Sequence, residues 1–229
     1  NGAASNTYSW TYDSTGPTMV ITSNTVVSGA TTGTAAVVLI LTSNEATTDF
    51  AIGDVTATGG DSCTKSDWTT GSSAVYGVTC TPDDSGDAPQ VSVAAETFTD
   101  ALDNDNSVSN TFTWTYDGTG PTMTITSNTV ASGATTATAA VVLIYTSNEV
   151  TTDFIIDDIT ETDCTTDSFT TESTTVYGST CTVSADSTPT VSVAAGAFSD
   201  ATGNTNSVSN TYTWTQDDTG PTMTITSAT

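Results

Sequence analysis

The sequence predicts an all-β protein made of tandem seven-stranded β-sandwiches. Three observations support this prediction. The chain repeats itself with a period of roughly 100 residues. Each repeat contains about seven short segments with strand character, and clusters of turn-forming residues such as TGP, SGA and TSNE separate them. Helix signals are almost absent.

The repeat is marked by three tryptophans. Trp10, Trp114 and Trp214 are 104 and 100 residues apart, and they lie in the segments SNTYSWTYDSTGPTMV, SNTFTWTYDGTGPTMT and SNTYTWTQDDTGPTMT. Insertions and deletions between the repeats fall before the first cysteine and after the second cysteine of each repeat, which places them in surface loops.

This alignment predicts the domain organisation. Residues 17–117 and 118–217 form two complete domains, residues 1–16 are the last strand of a preceding repeat with its linker, and residues 218–229 are the first strand of a following repeat. Two interpretations stay open. The chain is a window cut from a longer tandem array, or its end strands complete the sandwiches of neighbouring subunits by strand donation.

Each strand of the second repeat has its own signal. The candidate strands are residues 122–127, 137–147, 154–162, 165–171, 174–182, 190–195 and 211–216. The second candidate contains AAVVLIY, which is apolar on both faces and predicts a central strand that is covered on both sides. In the last strand of the first repeat, Phe112, Trp114 and Tyr116 alternate with threonines, so the aromatic side chains are expected in the core.

Charge excludes several classes of function. The chain has 26 acidic residues, one basic residue, no histidine and a net charge of −25. Binding to nucleic acid or to an anionic membrane surface needs clustered Lys and Arg. Without histidine, the usual catalytic triads and imidazole metal sites cannot form, and no pair of acids stands out as a catalytic pair. The longest apolar run, residues 35–41, is too short to span a bilayer, which takes about 20 residues. We therefore expect no enzyme and no membrane insertion.

The order of the motifs resembles a known family. The segments TSNE, DFIIDDITET, TVYGSTCTV, TPTVSVAAGAFSDATGN and NTYTWTQDDTGPTMTITS follow one another as in the bacterial-type Ig-like repeats of large extracellular surface proteins. The resemblance implies Ig-like sandwiches stacked end to end in a stalk or filament outside the cell. The first repeat departs from the pattern where Glu96 and Asp103 replace glycines, which makes the tight turn before Asn104 less certain.

Each repeat contains two cysteines at the same spacing. Cys63 with Cys80, and Cys164 with Cys181, predict one disulfide inside each domain. A disulfide closing a loop of this size stabilises a domain by roughly 3 kcal/mol. Paired cystines also indicate an oxidising, extracellular compartment.

Acidic and amide side chains concentrate in turns. Asp100, Asp103 and Asp105 in the first repeat, with Asp200 and Asn204 in the second, offer the alternating oxygen ligands that Ca²⁺ prefers. The alternative is that these residues form Asx turns and solvated charges that keep a long polymer soluble. No other cofactor is expected.

Threonines line the outward face of the last strand in each repeat. Three interpretations stay open for them: O-linked glycosylation, an ice-ordering array, or simply good exposed strand residues. Every Asn fails the N-x-S/T test, so N-linked glycans are not expected. The threonines concerned are Thr111, Thr113, Thr115, Thr211, Thr213 and Thr215.

These observations favour a structural protein of an extracellular filament, shed or attached to a cell surface, that associates end to end as a homopolymer or a longer tandem chain. The alternative is an adhesion module that binds a glycan or a cell surface through its loops. Trp68 is the best candidate for a sugar-stacking platform, and the second repeat has Ser168 or Phe169 in its place.

Overall fold

The computed structural model describes residues 5–59 and 63–227. It divides into two compact units, one ending at Gly118 and the other beginning at Thr119. The predicted end segments, 1–16 and 218–229, lie partly outside the described residues. Within the described ranges, no helix has the length and apolar character needed to cross a lipid bilayer.

The first unit is an Ig-like β-sandwich. One sheet has the strand order β1-β3-β6-β5 and the other has β4-β7-β8, while β2 pairs in parallel with β9. This is the ABED and CFG arrangement of seven-stranded Ig domains, in which the first and last strands are each broken into two pieces. The strands are β1 (Met19–Ser23), β2 (Thr31–Thr32), β3 (Val37–Ser43), β4 (Val55–Thr58), β5 (Cys63–Ser72), β6 (Val75–Pro82), β7 (Gln90–Val93), β8 (Phe112–Thr113) and β9 (Thr115–Tyr116).

The second unit repeats this topology. Its sheets have the orders β10-β12-β15-β14 and β13-β16-β17, and β11 pairs in parallel with β18. The predicted all-β sandwich fold is therefore confirmed in both repeats. The strands are β10 (Met123–Thr126), β11 (Thr135–Thr136), β12 (Ala140–Ser147), β13 (Ile159–Thr162), β14 (Thr165–Thr171), β15 (Val176–Thr182), β16 (Thr190–Val193), β17 (Tyr212–Thr213) and β18 (Thr215–Gln216).

The core of each unit lies between its two sheets and contains the aromatic residues of the last strand. Trp114 and Trp214 are fully buried, as are Phe112 and Tyr212. This confirms the predicted alternation for those residues. Tyr116, at the end of the last strand, is only half-buried.

The prediction for AAVVLIY was partly wrong. Strand β12 does lie between two neighbours, β10 and β15. However, Val142 is 47% exposed, and its counterpart Val38 in β3 is also 47% exposed. Each sheet has one face on the core and one face on solvent, so a strand can be central in its sheet and still expose alternate side chains.

Two other strand predictions needed correction. The candidate 154–162 forms a strand only at Ile159–Thr162, because a 3₁₀ turn at Ile156–Asp158 precedes it and Asp158 accepts a hydrogen bond from the backbone N–H of Ile155 (2.8 Å). The candidate 211–216 is interrupted at Trp214, because its first half pairs with β16 and its second half with β11.

Both predicted disulfides are present. Cys63 bonds to Cys80 and Cys164 bonds to Cys181, with Cα atoms 5.4 and 5.7 Å apart. Each bond ties an edge strand to its neighbour in the same sheet, β5 to β6 and β14 to β15.

Candidate functional site

The loop after β7 is organised by Asp100. Its side chain is buried, and Oδ1 accepts hydrogen bonds from the backbone N–H groups of Leu102 (2.7 Å) and Asn104 (2.9 Å). Oδ2 accepts one from the side-chain amide of Asn104 (2.8 Å). These bonds hold the pKa of Asp100 below its ordinary value, and the bond from the Asn104 side chain has the largest effect. Asp200 makes the same bonds to the backbone of Thr202 and to Asn204 in the second unit.

A buried asparagine closes the same loop. Asn106 Oδ1 accepts from the backbone N–H groups of Thr97 (2.8 Å) and Phe98 (3.0 Å). Its Nδ2 donates to the carbonyls of Ala94 (2.7 Å) and Ser107 (2.8 Å), so its hydrogen-bonding capacity is largely satisfied. Asn206 repeats this network. The Asp and Asn positions of the repeat motif therefore hold the loop together.

Asp100 also belongs to a cluster of three carboxylates. Oxygens of Asp13, Glu45 and Asp100 lie within 4.8 Å of one another. Asp103 and Asp105, which were predicted as ligands with Asp100, are exposed and do not belong to this cluster. Three neighbouring carboxylates repel one another, and a hard cation such as Ca²⁺ would offset that repulsion. Calcium binding by this loop stays a prediction.

Sequence reasoning did not select Glu45 as a ligand. Glu45 belongs to the TSNE segment and is 55 residues before Asp100, so only the fold brings the two together. The recurrence of TSNE in both repeats is the feature of the sequence that could have pointed to Glu45. Asp13 lies in the segment before β1, and hydrogen bonds from the side chain and then the backbone of Thr15 lower its pKa.

The turn that carries Glu96 and Asp103 keeps a glycine-like backbone. Their φ angles are +60° and +62°, and the matching glycines of the second unit, Gly196 and Gly203, have +73° and +89°. Side chains with a Cβ are strained in this region. The first repeat thus retains the turn conformation in spite of the two substitutions.

The threonine rows differ in exposure. Thr111, Thr211 and Thr215 are exposed, whereas Thr113, Thr115 and Thr213 are half-buried. The hydroxyl of Thr213 donates to the carbonyl of Pro189 (2.8 Å). The rows are also interrupted where the last strand changes its partner, so they do not form one continuous array. Glycosylation of these threonines stays a prediction.

Trp68 packs at the edge of the core. Its ring stacks on Tyr76 with centroids 5.5 Å apart and an interplanar angle of 19°, and it also contacts Phe50 (5.5 Å). In the second unit Phe169 stacks on Tyr177 in the same way (5.9 Å, 19°). Phe169, not Ser168, is therefore the counterpart of Trp68. This packing favours a structural role over a sugar-stacking role.

One nine-residue segment occurs twice in different environments. Residues 119–127 and 219–227 both read TGPTMTITS. In the first copy Met123 and Ile125 are 3% and 2% exposed, because strand β10 covers the core of the second unit. In the second copy Met223 and Ile225 are both 89% exposed. The same side chains are therefore buried in a sandwich at one place and exposed at the other.

The segment before the first strand shows the same contrast. Trp10 is 74% exposed, while Trp114 and Trp214 are buried. Tyr8 and Tyr12, which flank it at alternate positions, are 90% and 79% exposed. The chain therefore displays two apolar strand sequences outside its complete sandwiches.

An asparagine links the first and last strands of each sandwich. Asn110 Oδ1 accepts from the backbone N–H of Ile21 (2.7 Å), and its Nδ2 donates to the carbonyl of the same residue (3.0 Å). Asn210 makes both bonds to Ile125 at 2.7 and 3.0 Å. We call this pair of bonds the asparagine latch. Sequence reasoning missed it, although SNT precedes the Trp in all three copies of the segment.

Comparison with known proteins adds similarity at low levels. No family model and no curated protein matches the sequence. InvD of Yersinia pseudotuberculosis aligns with 90% of this chain and 60% of its own, at 14% identity and a TM-score of 0.37. The adhesin InvE of the same organism aligns with 88% of this chain and 58% of its own, at 14% identity and a TM-score of 0.30.

A third solved structure comes from Bacteroides ovatus. It is SGBP-B of a mixed-linkage glucan utilization locus, in complex with a mixed-linkage heptasaccharide. It aligns with 85% of this chain and 46% of its own, at 14% identity and a TM-score of 0.26. The chain therefore spans at most about three fifths of the length of these solved proteins.

Proposed function

We propose that this chain is a structural segment of an extracellular filament or stalk built from Ig-like sandwiches joined in series. The observation that carries the proposal is the repeated segment TGPTMTITS, which is buried as β10 and exposed at 219–227. The exposed copy has the sequence of a first strand.

Burial of the exposed apolar side chains in these two segments would stabilise the protein. Burial of a Met or Ile side chain contributes about 1.5–3 kcal/mol each. Met223 and Ile225 would gain this if residues 219–227 packed as β10 does, and Trp10 would gain more in a sandwich like that around Trp114. Both segments are thus suited to further sandwiches of the same kind.

Such sandwiches could be further domains of the same chain, or they could form when two copies of the chain exchange strands. Each unit already contains its own first strand, β1 or β10. If 219–227 of another copy replaced β10, one TGPTMTITS would be buried and an identical one released, with no net gain in buried apolar surface. We therefore favour the tandem arrangement as the route to end-to-end association.

The topology of each unit suits a chain under tension. Strand β2, near the start of the first unit, pairs in parallel with β9 at its end. Thr115 N–H donates to Ala30 (2.9 Å) and Asp117 N–H donates to Thr32 (3.0 Å). Pulling the two ends apart would load these parallel bonds together, so several must break in one step. The second unit pairs β11 with β18 in the same way.

The disulfides support a place outside the cell. All four cysteines are paired, and such bonds persist in oxidising compartments. Calcium at the Asp100 loop and O-linked glycans on the threonine rows belong to this proposal as additions that would stiffen or cover the filament.

The proposal can be tested by placing after the exposed copy the same strands that follow the buried copy. We would append a copy of residues 128–217 after residue 227, so that residues 219–227 precede the same sequence that follows 119–127. The protein has three methionines, at positions 19, 123 and 223. Hydrogen peroxide should oxidise only Met223 in the original chain, since Met19 and Met123 are buried. In the extended chain, Met223 should become as protected as Met123, as measured by peptide mass spectrometry.

A matched control places Asp at position 225 of the extended chain. Ile225→Asp puts a charge where the core should form, so Met223 should remain reactive there. If Met223 is oxidised equally in the original and extended chains while the appended residues fold, residues 219–227 are not a first strand and the proposal fails.

A further inference from the structure

A groove lies at one end of the second unit, between the loop after β15 and the segment after β18. Its volume is about 370 Å³, and the residues around it include Asp186, Gln216, Asp217 and Thr219. The groove is therefore lined by oxygen-bearing side chains and carries no basic residue. This composition suits a ligand with positive charge.

Gln216 contributes an unpaired buried oxygen to this groove. Its side chain is only 3% exposed, and Oε1 has no hydrogen-bond partner among the described residues. Its backbone is satisfied, because its N–H donates to Ser187 (2.9 Å) and its carbonyl accepts from Ser187 (3.3 Å). A buried carbonyl oxygen without a partner destabilises the folded state, so a hydrogen-bond donor or a cation bound at this oxygen would stabilise it.

Two carboxyl groups meet beside Gln216. Asp186 Oδ1 accepts a hydrogen bond from the backbone N–H of Asp218 (2.9 Å). The two carboxyl groups are also within hydrogen-bonding distance of each other. Asp217 is next to them and accepts from the hydroxyl of Thr219 (2.8 Å). Negative charge is thus concentrated around the unpaired oxygen.

The first unit has the same scaffold without these groups. Ser85 Oγ accepts from the backbone N–H of Gly118 (2.9 Å), as Asp186 does from Asp218. Tyr116 occupies the position of Gln216, and its backbone pairs with the corresponding loop through Gly86 and Asp87. The three oxygen-bearing groups are therefore a feature of the second unit alone.

We propose that this groove binds a hard divalent cation, Ca²⁺, through the carboxylates of Asp186 and Asp218 and the Oε1 of Gln216. Water would complete a shell of six to eight oxygens, as is usual for Ca²⁺. The cation would pair the unsatisfied carbonyl and offset the repulsion between the two carboxylates. This site is separate from the Asp13, Glu45 and Asp100 cluster and does not depend on the filament proposal.

The test is calorimetric titration of the metal-free, full-length chain with Ca²⁺. The triple variant Asp186→Ser, Gln216→Tyr, Asp218→Gly carries the residues that the first unit has at these positions and should therefore fold. It should bind one ion fewer per chain than the unchanged protein. A control variant, Asp157→Asn with Glu172→Gln, removes two exposed charges of the same unit that do not line the groove, and its stoichiometry should be unchanged.

A variant with a single substitution tests the site in case the triple variant misfolds. In Asp186→Ser, the Ser hydroxyl can still accept the bond from Asp218 as Ser85 does from Gly118, while one charged ligand is lost. Affinity for one Ca²⁺ should fall about tenfold or more, because the number of charged ligands sets the affinity of such sites. Equal stoichiometry and affinity in the unchanged protein and in Asp186→Ser, or no Ca²⁺ bound by the unchanged protein beyond the amount bound by the triple variant, would overturn the proposal.

Discussion

The second sandwich buries a pair of hydroxyl groups where the first has only hydrocarbon. Tyr145 Oη and Ser179 Oγ are 2.9 Å apart, and the two side chains are 0% and 2% exposed. The equivalent positions of the first unit hold Leu41 and Val78, both in its core. The chain thus offers its own apolar reference for measuring what this hydrogen bond contributes.

Removing both partners should cost less than the sum of the two single removals. Tyr145→Phe leaves the hydroxyl of Ser179 buried without its partner, and Ser179→Ala does the same to Tyr145. Each single substitution should lower the free energy of unfolding of the second unit by about 1–3 kcal/mol. The double variant should cost less than the sum, with a coupling of about 1–2 kcal/mol, because no hydroxyl is then left unpaired.

Tyr145 should also make the stability of the second unit depend on pH at high pH. Burial, as the largest cause, raises the pKa of Tyr145 to about 12 from an ordinary value of 10.0. Because its pKa is raised in the folded state, the protonated tyrosine stabilises the folded second unit. This stabilisation is fully present below pH 10 and is lost as the pH rises through 12. Raising the pKa from 10.0 to about 12 corresponds to a loss of about 3 kcal/mol of stability. Tyr145→Phe should remove this component.

Hydrogen exchange measured by mass spectrometry can assign these effects to one unit. Peptides covering Ala140–Ser147 report the second unit, and peptides covering Val37–Ser43 report the first unit as an internal control. Only the former should exchange faster in the single variants. Strictly additive costs in the double variant, or equal effects in both units, would refute the reasoning that an unpaired buried hydroxyl carries the penalty.

Glu96→Gly should stabilise the first unit by about 1 kcal/mol, since φ is +60° there, and Gly196→Glu should destabilise the second by a similar amount in chemical denaturation. Asn210→Ala breaks the asparagine latch and should cost the second unit about 2–3 kcal/mol, whereas Asn6→Ala, outside both sandwiches, should be neutral. Reducing the disulfides should cost each unit roughly 3 kcal/mol, seen as lower melting temperatures. If the Asp100 loop binds Ca²⁺, excess EGTA should lower the melting temperature of the first unit, and Glu45→Gln should abolish that shift.

Much of the fold could be predicted because short, local sequence patterns determine it. The alternation around Trp114 identifies a core-facing strand, and the equal spacing of the cysteines identifies both disulfides. The errors arose where the sequence pattern has two structural solutions. The apolar run around Val142 specifies a strand but not which face meets solvent, and the run before Ile159 reads as a strand although Asp158 caps a 3₁₀ turn there.

The candidate sites were harder to predict because their residues are distant in the sequence. Glu45 reaches Asp100 only because the loops after β3 and β7 lie at the same end of the sandwich. The Gln216 oxygen could not be recognised as unpaired from sequence, because that depends on the burial of its side chain. Patterns of period two describe strands well, but a site formed by loops has no such period.

The edges of the sandwiches limit how such a protein can associate. The edge strands β5 and β14 shift register against their neighbours between Ser66 and Thr69 and between Asp167 and Thr170. Asp67 and Ser168 have positive φ at these irregularities. Irregular edges resist pairing with another sheet, and a net charge of −25 makes side-by-side contacts between copies repulsive. Lateral association through β5 and β14 is therefore disfavoured, which is consistent with the proposed joining of sandwiches in series through the segments around Trp10 and Met223.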